Sequence, residues 1–533
     1  MIPYWVKERF GFILSLITSI YFSTVRFVFW CFYSFFHQRK YVTEPADSLL
    51  LISASQAVRK IANREITSSR LIESYIHRIE QINSTINAVV VKMFDDARKQ
   101  AEDVDEFIAT SSEDEIIARI QKQPLLGVPF TMKDALEVSD QIVTCGILSR
   151  KNYKCDRTAD AVQRVQNAGG ILLAITNVPE VCMWVETTNT VYGRTKNPYD
   201  TRRMTGGSSG GEGALLGAAG SVIGIGSDIG GSIRMPSFFN GIFGFKPTPG
   251  IISLAGHVPE PTGYKTEMLR IGPMCRYSED LQLMLKVMAG DNAEKLNLYE
   301  PVVRKNLRIF YMEGIQNAPL IQPLSYEMSH ALKRTVSLLE RKYDVIATKI
   351  DLPLARYVME FFTLSMHQDT TDPPFNKLML AMDGSKGEVN CYVELFRLLC
   401  GNSNHTLAAV ITGIIDSHDP FTEQQKTELL YKRDHLKRQV RDLLGDNGVL
   451  LFPSWPCTAM YHNEPILAPL NFCYTALWNV VSVPVIQCPV GLDSRGLPLG
   501  VQVIGNQYTD RNLIEVAHDL EEAFGGWVPA GPL

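Results

Sequence analysis

Residues Phe10 to Phe36 are almost all apolar or small hydroxyl residues, and a single charge, Arg26, interrupts them. A run of about 20 apolar residues is long enough to cross a bilayer as a helix, so this stretch predicts a membrane helix. Lys7 and Arg9 precede it and Arg39 and Lys40 follow it, so basic residues on both flanks leave its orientation open. A cleavable signal peptide would want a small-residue cleavage site, and no alanine occurs before Ala46. An uncleaved anchor is the better reading, and Arg26 leaves room for an interfacial helix or hairpin in place of a straight span. The polar stretch Gln38 to Leu49, with Pro45, reads as a linker, which puts an anchor at 1–40 and one large folded unit at 41–533.

From Ser53 the apolar spacing turns helical, through Ala57 and Ile61 and then Leu71, Ile72, Tyr75, Ile79 and Ile82. Glu102 to Glu115 is acidic and predicts a solvated helix and loop. The short run Leu125 to Phe130, ending at Thr131-Met132-Lys133-Asp134, predicts a buried strand, as does Ile171 to Ile175 after the helical stretch Ala159 to Ala168. Such alternation argues for an α/β architecture. Glu423 to Leu444 predicts a charged, exposed helix. A strand-rich portion follows from Val449 to Ile504, then a last helix around Asn512 to Phe524. Tyr392 to Ile415 predicts two short apolar helices joined by Gly401-Asn-Ser-Asn. They form either a second membrane contact or part of the core.

Composition narrows the function. The net charge of −5 and the lack of a basic stripe speak against nucleic acid. The ten cysteines form no CxxC pair and the ten histidines no HxxxH or HExxH, so neither a metal site nor a disulfide framework is expected, and no cofactor. Sequons at Asn83 and Asn404 leave the compartment open.

Fourteen of the 38 glycines fall between Gly206 and Gly250. Within this stretch, Ser221 to Asp228 predicts a buried strand, and Asp228-Ile229-Gly230-Gly231 turns it into Ser232. Consecutive glycines let the amides of Ile229, Gly230, Gly231 and Ser232 point into one concavity, as an oxyanion hole requires. An ordinary tight turn with an incidental serine fits the same segment. Gly206-Gly207-Ser208-Ser209-Gly210-Gly211 lacks the Lys-Ser/Thr of a phosphate loop. It matches GxSxG twice, but a nucleophile elbow follows a buried strand, and Asn197 to Thr205 is too polar for one. Lys133, at the inner end of its strand, would be desolvated and available as a neutral base; a surface lysine paired with Asp134 is the alternative.

Taken together, Lys133 in Gly-Val-Pro-Phe-Thr-Met-Lys-Asp, the Gly206–Gly211 run, Ser232 in Asp-Ile-Gly-Gly-Ser-Ile-Arg-Met-Pro, Gly244-Phe-Lys-Pro-Thr248 and Gly496-Leu-Pro-Leu-Gly-Val-Gln502 resemble the amidase-signature family. The resemblance runs from about Leu50 onward, and within the family is strongest to the fatty-acid amide hydrolases of the second type. Met132, where many relatives carry valine or isoleucine, is a conservative departure.

The resemblance implies a single large α/β domain with a mixed central sheet flanked by helices, beside the N-terminal membrane helix. It implies a Ser-Ser-Lys triad: Lys133 as base, Ser208 as bridging serine and Ser232 as nucleophile, which fits the lack of any histidine near the glycine-rich turns. Asp228 and Arg234 would brace the loop as an ion pair, and Cys182, Met183 and Trp184 match a position lining the acyl site. The expected reaction is cleavage of fatty-acid amides, N-acylethanolamines or primary amides, to acid and amine on a membrane such as an endomembrane or lipid droplet. The expected partners are the amide substrate and membrane lipid, with a homodimer allowed. An amidotransferase subunit or an inactive membrane-tethered binding protein are the alternatives.

Overall fold

Apolar strands dominate the middle of the chain and hydrogen-bond into one sheet. The computed structural model describes residues 4–531 apart from residue 319. Its strands are β1 (Val89–Lys92), β2 (Pro129–Lys133), β3 (Ile171–Thr176), β4 (Thr188–Asn189), β5 (Gly193–Arg194), β6 (Ile223–Asp228), β7 (Phe243–Lys246), β8 (Arg270–Cys275), β9 (Arg308–Tyr311), β10 (Thr348–Lys349), β11 (Gly448–Pro453), β12 (Val485–Leu492) and β13 (Pro498–Ile504). Among the described residues eleven of them form a sheet in the order β1-β3-β2-β6-β8-β7-β12-β13-β11-β9-β10, while β4 and β5 make a small hairpin. The sheet is mixed, as expected: β2 lies parallel to both β3 and β6, and β9 to β10 and β11, with antiparallel pairs elsewhere.

Both faces are covered, which is why β2, β3 and β6 are buried along their whole length and show no alternation of polar residues. Helices Glu279–Ala289 and Asp510–Phe524 pack on β8 and β12. A second apolar cluster joins helices Val358–His367, Glu423–Leu444 and Cys473–Val480. The last of these interrupts the portion read from sequence as strand-rich. Every one of its residues is buried, so it has no polar face to give a helical period.

The N-terminal segment is one helix, Tyr4–Phe36, and residues Leu16–Phe36 are long and apolar enough to cross a membrane. One stripe of it lies on the body. Phe22, Val25 and Tyr33 are buried, and the Tyr33 ring stacks on Tyr461 with centroids 4.9 Å apart. Tyr33 Oη donates to the His462 carbonyl (3.1 Å) and Tyr21 Oη to that of Leu467 (2.9 Å). Leu16, Ile20, Phe27 and Trp30 face outward. The stretch read as a linker is extended but attached: Val42 is buried and its N–H donates to the Pro198 carbonyl (2.8 Å).

Helices Cys391–Leu399 and Leu407–Asp416 stand where two short apolar helices were expected. Tyr392, Phe396 and Leu399 are exposed, while Leu395 turns inward onto a small apolar cluster with Val410 and Phe375.

Candidate functional site

Parallel pairing of β2 with β6 brings two strand ends to the same edge, the usual place for a site in an α/β sheet. Lys133 ends β2 and is fully buried. Its Nζ lies 2.9 Å from Ser208 Oγ and 3.0 Å from Ser227 Oγ, with the Ser227 carbonyl at 3.4 Å. Burial pulls the lysine below its ordinary range, and the nearby Cys182, Cys145, Asp228 and Glu212 only partly offset this. Glu212 lies in the same interior, held by the hydroxyls of Thr131 and Thr176, and burial pushes its carboxyl up to about 8. Gly224 makes room for it: a Cβ there would come within 1.8 Å of Glu212 Oε1.

The turn after β6 is pinned by Asp228. Its carboxylate accepts the amides of Gly231 (2.8 Å) and Ile233 (3.1 Å) and a two-pronged ion pair from Arg234, with both contacts at 2.9 Å. Arg234 also donates to the Thr475 carbonyl and Gln502 Oε1 (2.9 and 2.7 Å), and Thr475 Oγ1 donates to the Gly230 carbonyl (2.7 Å). Gly231 has φ of +125°, and a Cβ there would meet Thr475 Oγ1 at 2.0 Å, so only glycine fits. Burial alone would raise the Asp228 carboxyl; the Arg234 charge overrides it and holds it well below the carboxylate range.

A carboxyl depressed in the folded state stabilises it above the unfolded value of about 4, and this contribution is lost only as pH falls through the depressed value. Asp228→Asn, which strands the buried guanidinium, is expected to cost about 3–5 kcal/mol of unfolding free energy near neutral pH. Denaturant titration measures it, and a loss under about 1 kcal/mol would mean that the remaining acceptors suffice for Arg234.

Ser208 and Ser232 line one cavity of about 220 Å³. The Ser209 amide donates to the Ser232 carbonyl (3.2 Å), holding the two serine segments together. Val181, Met183, Met366, Phe375 and Leu378 give the cavity an apolar wall, and His257, Lys265 and Asp372 a polar one. A buried base against one hydroxyl, a second serine at a glycine turn and an apolar pocket together suit acyl transfer from an oily substrate.

A family profile described as Amidase matches residues 70–514. The chain belongs to the amidase family. It is 43% identical over 499 residues to fatty-acid amide hydrolase 2-A of Danio rerio, covering 92% of this chain and 91% of that one. To fatty-acid amide hydrolase 2 of Homo sapiens it is 38% identical over 491 residues, covering 92% of each. The solved structure of a fatty acid amide hydrolase shares the fold, with a TM-score of 0.72 at 22% identity over 95% of this chain and 90% of that one.

Within this amidase fold, Lys133, Ser208 and Ser232 converge, and the Asp228–Arg234 pair spans the turn. Three expectations need correction. Trp184 does not line the cavity: its side chain packs against the main apolar core and its carbonyl lies under Gly207, while Cys182 and Met183 do line it. The Gly231 amide, expected to face an oxyanion, donates instead to the Asp228 carboxylate. A third correction concerns histidine. His257, from a loop 25 positions past Ser232, enters the cavity of this amidase, with Nε2 2.7 Å from Ser227 Oγ. Neither residue sits in a local pattern. Ser227 reads as one more buried strand position, and His257 as a loop residue between Gly256 and Pro259.

Proposed function

We propose that this amidase hydrolyses fatty-acid amides, N-acylethanolamines and primary amides, to fatty acid and amine through an acyl-enzyme on Ser232. The observation that carries the reading is Lys133 Nζ, desolvated and 2.9 Å from Ser208 Oγ, below a cavity that Ser232 also lines. Neutral Lys133 takes the Ser208 proton as Ser208 takes that of Ser232, whose oxygen attacks the amide carbon. The amides of Ile229, Gly230 and Ser232 receive the oxyanion. The proton returns through Ser208 to the nitrogen, the C–N bond breaks and the amine leaves neutral. Water then adds to the acyl carbon by the same relay, releasing the acid and restoring Ser232. Cys182 and Met183, with Met366, Phe375 and Leu378, would hold the acyl chain.

Two apolar surfaces support a membrane-bound form, with the anchor boundary near residue 40. Long-chain amides favour the bilayer by about 0.8 kcal/mol per methylene, so a mouth facing water would meet little free substrate. The outward face of the N-terminal helix and the exposed Tyr392, Phe396 and Leu399 both suit lipid. The hairpin segment between them touches both neighbourhoods: Arg194 bonds Asn463 Oδ1 (2.7 Å), and Thr190 Oγ1 donates to the Asn404 carbonyl (2.9 Å). An ammonia-delivering subunit of a complex would need neither surface. Because the helix lies along the body through Phe22, Val25 and Tyr33, an interfacial position fits it better than a free span.

The test is release of fatty acid and amine from a long-chain N-acylethanolamine in vesicles by the full chain. Release from neither an N-acylethanolamine nor a primary fatty amide would overturn the proposal. For the second lipid contact, Tyr392, Phe396 and Leu399 replaced by serine should slow vesicle-borne turnover several-fold while hydrolysis of a soluble short-chain amide stays unchanged. Each exposed site should shift stability by less than about 0.5 kcal/mol. Parallel loss on both substrates would assign these side chains to the core.

A further inference from the structure

Three groups beside Lys133 fix which way its hydrogen bonds run. His257 Nδ1 lies 2.8 Å from the Pro259 carbonyl, which can only accept, so Nδ1 carries the ring proton. Burial pulls the imidazole down to about 4, so at neutral pH it has one proton and Nε2 is a lone pair. Ser227 Oγ, 2.7 Å away, must therefore donate to Nε2. Its own lone pairs then face Lys133 Nζ at 3.0 Å and can only accept from it. The second lysine N–H has the Ser227 carbonyl at 3.4 Å. A neutral amine with both hydrogens so engaged has one lone pair left, and the remaining neighbour is Ser208 Oγ at 2.9 Å.

We infer that His257 is a positioning residue for this amidase: through the Ser227 hydroxyl it turns the Lys133 lone pair onto Ser208. The inference rests on the reading of Lys133 as the base. Without the imidazole acceptor the Ser227 hydroxyl is free to rotate and donate to the Lys133 lone pair, in competition with Ser208. The base would then still be present and buried, but aimed at the wrong hydroxyl for part of the time. His257 is held between strand β6, through Ser227, and the Pro259 carbonyl of its own loop, and among the described residues neither ring nitrogen pairs with a carboxylate that would hold the other tautomer.

The experiment compares the full chain with His257→Leu, His257→Gln, Ser227→Ala and the His257→Leu/Ser227→Ala double variant on a soluble anilide. Glutamine offers Ser227 a carbonyl acceptor and Pro259 an amide donor, so it preserves the order of donors. Expected is a fall in kcat of about tenfold or more for His257→Leu with KM within about twofold, near-complete recovery in His257→Gln, and no further loss when His257→Leu is added to Ser227→Ala. A wild-type kcat in His257→Leu would overturn the inference, as would an equal loss in both serine backgrounds. His257→Gln, with wild-type melting, keeps the test decisive if the leucine variant folds poorly: a loss there as large as for leucine also overturns it. Lys133→Ala run alongside separates the two levels. Full activity in that variant defeats the base assignment itself, whereas loss there with an unaffected His257→Leu defeats only the role of His257.

Discussion

Ser232→Ala is expected to lower amide turnover by at least about 10⁴-fold and to abolish covalent capture by a fluorophosphonate. The expectation is large because the alternatives at the turn are poor. Ser208 lies against Lys133 and is nearly fully buried, and Ser209 is fully buried with its Oγ donating to the Ser227 carbonyl (3.4 Å). With Ser232 removed, only binding and the turn amides remain to act on the substrate. The folded state should be unaffected, because the Asp228–Arg234 network that shapes the turn uses backbone amides and not the Ser232 hydroxyl. Peptide mapping of the labelled wild-type chain is the check. A label on Ser208 or Ser209 would move the nucleophile to the other glycine cluster and defeat the assignment.

Lys133→Ala is expected to cost about 10²–10⁴-fold on amides and less on matched esters, since an alkoxide leaves with less help from an acid. In the unaltered chain the rate should rise with pH through a lysine value held below its ordinary range of about 10, because only the neutral amine can take the Ser208 proton. Asp134 and Glu212, which burial pushes up to about 7 and about 8, also ionise well above the ordinary carboxylate range. The variant therefore assigns the limb: it should disappear with Lys133 if the lysine is its source. Equal losses on amide and ester would show that the residue does not protonate the departing nitrogen.

How far the chain could be read beforehand follows from the range of each signal. The strand ending at Lys133, the strand and glycine turn before Ser232, and the charged helix Glu423–Leu444 are encoded within a dozen or so consecutive residues, and each stands where its pattern put it. The elbow reading of Ser208 fails in the structure for the reason the sequence offered: the polar stretch before it forms no strand. Hydrogen bonds that close over long separations leave no such trace. Ser227 to His257, Arg234 to Gln502 and Thr475 to Gly230 join residues 30, 268 and 245 positions apart. Trp184 illustrates the converse. Its neighbours Cys182 and Met183 line the cavity, yet the turn at Val181 and Cys182, both with φ of 55°, sends the next side chain elsewhere.

The stripe of Phe22, Val25 and Tyr33 on the body has a kinetic consequence. A helix free at both ends would let the body tumble, whereas one clamped along about 17 Å of its length fixes the body's attitude to whatever surface the helix occupies. Where that surface is a bilayer holding the amide, as proposed above, enzyme and substrate meet in two dimensions. Its velocity should follow the mole fraction of amide in the lipid, falling as inert phospholipid is added at constant total amide and staying level as buffer is added.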